Sequence, residues 1–461
     1  MRVLIVGGGV GGLTLAKALL VKAEEERKDV KVVVLEKGTE LATSGHGVTL
    51  FEGLGILHRL GLGSSLVKVS TVLTDQVVSA DGRLLVETSS SNNKPTQFAP
   101  RGIRRPDLVH LLKESLPDDI LKLDWQVVKV EEADDQVSVV NQRGEELKGD
   151  LLVGFDGIGG KVRAFVTTAS TDEKSAKSMR EFGQCCVLLG TANKLRETGG
   201  DANNIISSDG TLVHHFDRKT GSVGVFSGTS NGQFAWTIGY RCPKEPERNP
   251  DWKNNDKALK AAMEVVQQWS GSASAQFQTL LAGSSGCLQL GVYTQPKREL
   301  QAPWHRGRLV LGGDAAHAVL PLLGEGANLA MSDAVVLARQ ILQVQIPTKE
   351  ELEAAFKRYE EERRGPSQSG VAMTKALRPV MLSQNWLVCQ LRNGMMKHMI
   401  GANWSSSQLR AQDASLLLDK PIQDRNPHAN LGSNVGMVLA HVAVIGGGIA
   451  LSLYLLNRPR T

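Results

Sequence analysis

The opening stretch, RVLIVGGGVGGLTLAKALLVKA, leaves few folds open to this chain. Arg2 to Val6 is a short apolar, β-branched run, the pattern of a strand buried on both faces of a parallel sheet. Gly7, Gly9 and Gly12 follow at G-x-G-x-x-G spacing, and a segment of helical periodicity follows them. In that setting each glycine has a mechanical task. The first permits the tight turn, the second lets a pyrophosphate approach the backbone, and the third lets helix and strand pack closely. The helix N-terminus then offers unpaired N–H groups and the positive end of a dipole to a phosphate. A second strand, VKVVVLEKG, ends at Glu36, an acid placed to accept from a ribose hydroxyl. Strand, turn, helix and acid together predict a dinucleotide-binding α/β domain on a parallel sheet.

The same glycine word recurs near the other end as VIGGGIA. There the third glycine is missing, since position 451 is Leu, and the chain beyond it is too short for a second strand and acid. Val435 to Leu456 is 22 residues without Asp, Glu, Lys or Arg. As a helix it would span about 33 Å, close to the thickness of a bilayer core. Residues 405–434 before it read as a polar linker. The pattern predicts a C-terminal membrane anchor, with a buried core helix as the alternative, and the glycines weaken helix propensity in either case.

Composition excludes some functions. The balance of 53 basic and 48 acidic residues is too mild for a nucleic-acid binder, and no basic run with interleaved aromatics exists. Five cysteines, an odd number without a CxxC pair, argue against a disulfide framework and against a zinc site, so no metal is expected. They fit a reducing compartment. A strand that begins at Arg2 leaves no room for a cleavable signal peptide.

Two further segments indicate which dinucleotide is bound. GDLLVGFDGIGGKVR carries a buried strand into Asp156-Gly157 and closes on Arg163. GRLVLGGDAAHAVLPLLGEGANLAMSDAVVLA carries another strand into Gly313-Asp314, then Pro321, Gly324, Gly326 and a helix from near Ala327. Asp314, at a strand end, is placed to hold a ribitol or ribose hydroxyl. The glycine turn after it can aim backbone N–H groups at an isoalloxazine edge. A plain NAD-binding domain needs no such second site.

With these segments and the Arg of IRRPDLVHLL, the chain resembles the FAD-dependent monooxygenases of the para-hydroxybenzoate hydroxylase type, over roughly Arg2 to Arg364. The resemblance implies that Glu36 binds the adenosine ribose and that Gly47, in GHGVTL, lies by the flavin. Arg105 would pair with the FAD phosphates, Arg104 being the competing assignment. Asp156 would serve both FAD and NAD(P)H. Asp314 would hold the ribitol chain, and Gly326, Ala327 and Asn328 would contact the ring. The chain departs from the family pattern at Phe155 (usually Ala), Gly160 (usually Ser) and Glu325 (usually Gln). It also departs in FEGLG, where Glu52 lies near a usual Asn. His317, tempting as a base, reads as a structural residue of the DAAH turn.

Residues from about 170 to 300 read as strands separated by glycine turns, with a helix in KALKAAMEVVQQWS. In FAWTIGY, alternation puts Phe234, Trp236, Ile238 and Tyr240 on one face and Ala235, Thr237 and Gly239 on the other. Core packing is the ordinary use of the first three. Tyr240, with its hydroxyl at the strand end, is the candidate catalytic residue, for orienting or activating a phenol or enol. His214 and His215 point to opposite faces, so at most one meets a pocket. TKEELEAAFKRYEEERRGP reads as a charged helix. Met395, Met396 and Met399 cluster in a later segment that reads as core helix or as an apolar entrance.

The expected architecture is an α/β, Rossmann-like FAD domain interleaved with an antiparallel-sheet substrate domain, followed by a hydrophobic C-terminal helix. Its parts are 1–170 and 301–404 for FAD, 171–300 for substrate, 405–434 as linker and 435–456 as the spanning helix. The expected activity is that of an FAD- and NAD(P)H-dependent monooxygenase. It would place one oxygen atom of O2 on an apolar or aromatic small molecule such as a secondary metabolite. The anchor would hold the catalytic domain at a membrane, facing the cytosol; without it the chain would be cytoplasmic. The alternatives are an FAD reductase of the same fold and, more distantly, a non-catalytic binding protein. A flavin halogenase of the same fold is a further alternative: FAWTIG faintly resembles the WxWxIP box of those enzymes, but its missing first Trp and Pro argue against halogenation.

Overall fold

The computed structural model describes residues 1–41, 46–89, 97–171, 180–193, 210–246, 255–296, 301–321 and 324–420, without the side chains of Gln76, Asn231 and 397–409. Its centre is a six-stranded sheet in the spatial order 305–306, 309–311, 151–154, 2–6, 31–35, 121–122. All neighbours run parallel except the hairpin at the first edge. Strand Arg2–Val6 lies in the middle, with Val3, Leu4 and Ile5 fully buried, as a β-branched run between parallel neighbours demands. Helix Val10–Glu26 crosses from it to strand Lys31–Leu35 and packs on helix Gly326–Leu342. Two segments far apart in sequence thus close one face of one sheet.

The second sheet has seven strands, in the order 284–294, 181–193, 233–241, 222–228, 211–217, 75–80, 83–89. Only the contact between 75–80 and 211–217 is parallel. The hairpin Asp75–Ser89 belongs to this sheet, so the substrate domain draws on the first part of the chain and is not confined to 171–300. One face is covered by helices Asp256–Val266 and Ser272–Ala282, which bury Phe226, Trp236 and Phe277. The other face meets Met373, Leu377 and Met381 of the long helix Lys349–Met381.

That helix runs on through Gly365 and Pro366, where the sequence reading ended it. Its buried stripe continues past the proline through Ser367, Gly370, Val371, Thr374 and Leu377, and that packing outweighs one lost hydrogen bond. The linker reading of 405–434 is also corrected over its first part. Helix Trp386–Ala414 runs into it, and Arg410, Ala411, Ala414, Leu417 and Leu418 are buried. Asp419 accepts from Arg59 Nε and Nη2, both at 2.7 Å, and tethers the segment to the FAD domain. Met395 and Met396 pack in the second core. The expected spanning helix, 435–456, lies outside the described residues, among which no helix is long and apolar enough to cross a membrane.

Candidate active site

The three fingerprint glycines do three different things. Gly7 sits at φ 115°, and a Cβ there would lie 2.3 Å from the Phe155 carbonyl oxygen. A Cβ on Gly12 would lie 2.0 Å from the Gly7 oxygen, so this glycine sets the approach of helix to strand. A Cβ on Gly9 would meet nothing nearer than Arg105 Nη2, 4.0 Å away, because Gly9 faces a cavity. Helix Val10–Glu26 starts there with no side-chain cap and no acid in its first turn. Its free N–H groups therefore remain available to an anion. Glu36 is locked beside them: its Oε2 accepts from Gly8 N–H at 2.8 Å and its Oε1 from Gly38 N–H at 2.9 Å.

Geometry separates the two arginines. Arg104 is held by Asp107 through two bonds of 2.6 Å and does not line the cavity. Arg105 does, and its guanidinium has no hydrogen-bond or ion-pair partner among the described residues. Burial lowers its pKa, while the carboxylates of Glu36 and Asp314 pull it back up. A largely desolvated cation without a close partner, beside an uncapped helix N-terminus, is a place for phosphate. His46, whose backbone oxygen accepts from Arg105 N–H at 2.8 Å, also lines the cavity. Burial and the Arg105 charge lower its pKa to about 4, so it is neutral at pH 7.

The departures from the family pattern have local reasons. The Phe155 ring occupies space left by Gly11 and Gly312, where an added Cβ would come within 2.4 Å of it. Gly160 makes room for Asp156, whose carboxylate an added Cβ would meet at 1.9 Å. Asp156 Oδ2 caps helix Lys161–Thr168 by accepting from Val162 N–H at 2.7 Å, and its Oδ1 is buried without a partner among the described residues. Burial raises its pKa to about 6. Asp314 is open to the cavity and enclosed by protein elsewhere; desolvation raises its pKa against the pull of His317 and Arg105.

Gly326 and Ala327 line the cavity, but Asn328 does not. The Asn328 side chain is fully buried and spends its groups on the backbone. Its Oδ1 accepts from Phe51 and Gly53 N–H at 3.0 Å, and its Nδ2 donates to the Thr49 and Gly324 oxygens. Ring contact by this side chain is therefore corrected to a tie between two segments beside the cavity. His317 is likewise structural. Its Nε2 meets Asp333 Oδ2 at 2.5 Å, and Asp333 Oδ1 accepts from Arg363 Nε at 2.8 Å, all three being buried.

The opposite wall comes from the seven-stranded sheet: Val187, Leu189, Thr237, Leu288, Leu290 and Val292, with Tyr293 nearby. Tyr240 is not part of it. Pairing of Tyr240 with Cys186 places it on the face that packs against the helices, where its hydroxyl meets Gln289 Nε2 at 2.5 Å and burial raises its pKa. The alternation was read correctly and Phe234, Trp236 and Ile238 are core as expected, but Tyr240 joins them on that face, while Thr237 on the other face lines the cavity. Gly47 packs on Ala235 of that face, where an added Cβ would come within 2.6 Å. His214 and His215, both lowered to about 4 by burial, do not reach the cavity. Sequence reasoning missed His46, Trp125, Thr237 and Tyr293. Only His46, next to Gly47, carried a signal.

The cavity is continuous between the walls and measures about 840 Å³, toward the large end for ligand sites. The chain matches the model of the FAD binding domain family over residues 1–279 and 286–374, more than half of its length. It is 28% identical over 403 residues to the FAD-dependent monooxygenase esdpE of Penicillium shearii, covering 81% of this chain and 77% of that one. It is 27% identical to the aurachin C monooxygenase/isomerase of Stigmatella aurantiaca, covering 87% and 94% of the two chains. Klebsiella pneumoniae HpxO, solved with FAD and uric acid, shares the fold: TM-score 0.71, 19% identity, 90% of this chain and 97% of that one. The chain thus belongs to the FAD-dependent monooxygenases of the para-hydroxybenzoate hydroxylase type.

Proposed function

We propose that this monooxygenase uses NAD(P)H and O2 to hydroxylate or epoxidise a neutral, apolar or aromatic small molecule. The observation that carries this reading is the continuous cavity, polar and glycine-lined on one side and aliphatic on the other. Among the described residues the aliphatic wall carries no charged side chain to match a charged substrate, and burying an unpaired charge there would be costly. FAD supplies the two-electron and oxygen chemistry when bound, which side chains alone cannot do.

The residues fit such a cofactor. Gly9 and the helix N-terminus leave space and donors for the pyrophosphate, and Arg105 neutralises it. Glu36, fixed by two backbone N–H groups, keeps lone pairs for ribose hydroxyls. Asp314 faces the cavity where a ribityl chain would lie, and the turn at Gly326 and Ala327 offers backbone N–H groups to a ring edge. Thr237 has the hydroxyl on the aliphatic wall that can orient a substrate oxygen, while its neighbours exclude water from the reacting centre. Asp156 and Gly157 line the same cavity, which fits a nicotinamide entering by the cleft the substrate uses.

The test is the visible spectrum of the purified chain, followed by oxygen uptake with NADH or NADPH across neutral lipophilic aromatics and alkenes. A flavin spectrum with substrate-dependent uptake supports the reading. A flavoprotein that consumes oxygen only with carboxylate-bearing substrates refutes the substrate class.

A further inference from the structure

Two of the departures from the family pattern meet in space. Glu325 is the residue before helix Gly326–Leu342, whose first two residues line the cavity. Glu52 opens helix Glu52–Arg59 and is buried. Arg410 reaches both from helix Trp386–Ala414, its Nη1 lying 3.4 Å from Glu52 Oε1 and 3.7 Å from Glu325 Oε1. Its guanidinium sits 5.5 Å from the centre of the Phe51 ring, and its Nε is buried without a partner among the described residues. Gly55 makes the approach possible: a Cβ there would lie 1.7 Å from the Ala411 oxygen.

One guanidinium nitrogen thus serves two carboxylates that are largely shielded from water. With both ionised, the cluster would carry a net negative charge with little water to offset it, which disfavours ionising both. Burial and the Glu52 charge push Glu325 up to about 7, against the pull of Arg410. Among the described residues the charged groups facing Glu325 are Glu52 and Arg410. Arg363, on the long helix, acts on Glu52 but is bonded to Asp333.

Resting on the FAD reading above, we propose that Glu325 is a proton-linked positioning residue. Its charge, shared with Glu52 under Arg410, sets how readily a flavin in the cavity accepts electrons. The N-terminus of helix Gly326–Leu342 favours negative charge in front of it, and reduction adds negative charge there. A neutral Glu325 leaves that dipole unopposed; an ionised one opposes it. By reciprocity, reduction makes Glu325 hold its proton more tightly.

The test is the midpoint potential of the full FAD-loaded chain, measured by reductive titration from about pH 5 to about pH 9. The wild-type potential is expected to fall more steeply through neutrality than that of Glu325→Gln, and the two are expected to converge at the acid end. Glu52→Gln is expected to move the bend to lower pH, because it removes the like charge, without altering the visible spectrum. Parallel curves for wild type and Glu325→Gln overturn the proposal. If Glu325→Gln does not fold, a bend that stays in place in Glu52→Gln overturns it equally. A wild-type chain that takes up no FAD would sink the cofactor reading instead, which keeps the two failures distinct.

Discussion

The two walls of the cavity are built on opposite logic. The cofactor side is made of absences: Gly7, Gly9, Gly12, Gly47 and Gly160 leave out side chains so that backbone, phosphate and carboxylate can come close. The substrate side is made of presences, aliphatic side chains selected by strand register from a sheet whose other face holds the large aromatics. Absences are unforgiving because backbone cannot give way, while presences can be exchanged. The two walls should therefore respond to mutation on different scales.

The largest effect is expected at Gly12. Gly12→Ala forces a Cβ against the Gly7 oxygen, at a cost of about 3 kcal/mol or more. Its melting temperature should drop sharply and the purified chain should be colourless. Gly9→Ala, where the Cβ enters open space, should keep the melting temperature and weaken FAD binding only. Equal destabilisation by the two would break the assignment of separate tasks.

Next is the arginine pair. Arg105→Ala removes charge-assisted bonds to phosphate and should weaken FAD binding by about 2–3 kcal/mol, roughly 100-fold. Arg104→Ala removes a half-exposed pair with Asp107 and should cost within about 1 kcal/mol of stability, leaving FAD affinity nearly unchanged. Equilibrium dialysis with FAD separates the outcomes, and the reverse order would return the phosphate to Arg104.

Asp156 sharpens the contrast through pH. Its pKa is about 6 in the fold against 3.8 in an unfolded chain, because burial disfavours the ionised form. Between those values the unfolded chain has lost a proton that the folded chain keeps. Stability from this group therefore falls as pH rises from about 4 to about 6, by about 3 kcal/mol, and stays lost above. Asp156→Asn keeps an acceptor for Val162 N–H and cannot ionise, so its melting temperature should gain on wild type across that window. A constant gap between the two would show that Asp156 does not titrate there.

This contrast also explains what the sequence could and could not reveal. The cradle was legible because its parts are contiguous: strand, glycines, helix and Glu36 fall within the first 36 residues, and spacing alone fixes their geometry. The DAAH turn was legible for the same reason, down to His317 as a structural residue. The far wall was not. Thr237 and Tyr293 come to one cavity only through pairing of strand 181–193 with both 233–241 and 284–294, and register across such distances leaves no local signature. The run 405–420 looked like linker because its polar residues outnumber its apolar ones. Its anchors, Arg410 and Asp419, are charges whose partners, Glu52 and Arg59, lie over 350 residues away.

The smallest expected effect tests which face of strand Gln233–Arg241 the substrate meets. Thr237 lines the cavity, while Tyr240 lies behind the sheet, bonded to Gln289. Thr237→Val keeps the shape and removes one hydroxyl, so it should lower kcat/KM by about fivefold, near 1 kcal/mol, and leave the melting temperature unchanged. Tyr240→Phe should do the converse, losing about 1 kcal/mol of stability with the Gln289 bond while kcat/KM holds. The two measurements must be made on both variants, since a thermal shift alone cannot tell a wall residue from a core one. If Tyr240→Phe reduced turnover without a thermal shift, the strand would present its aromatic face to the substrate, and the aliphatic wall would lose its role.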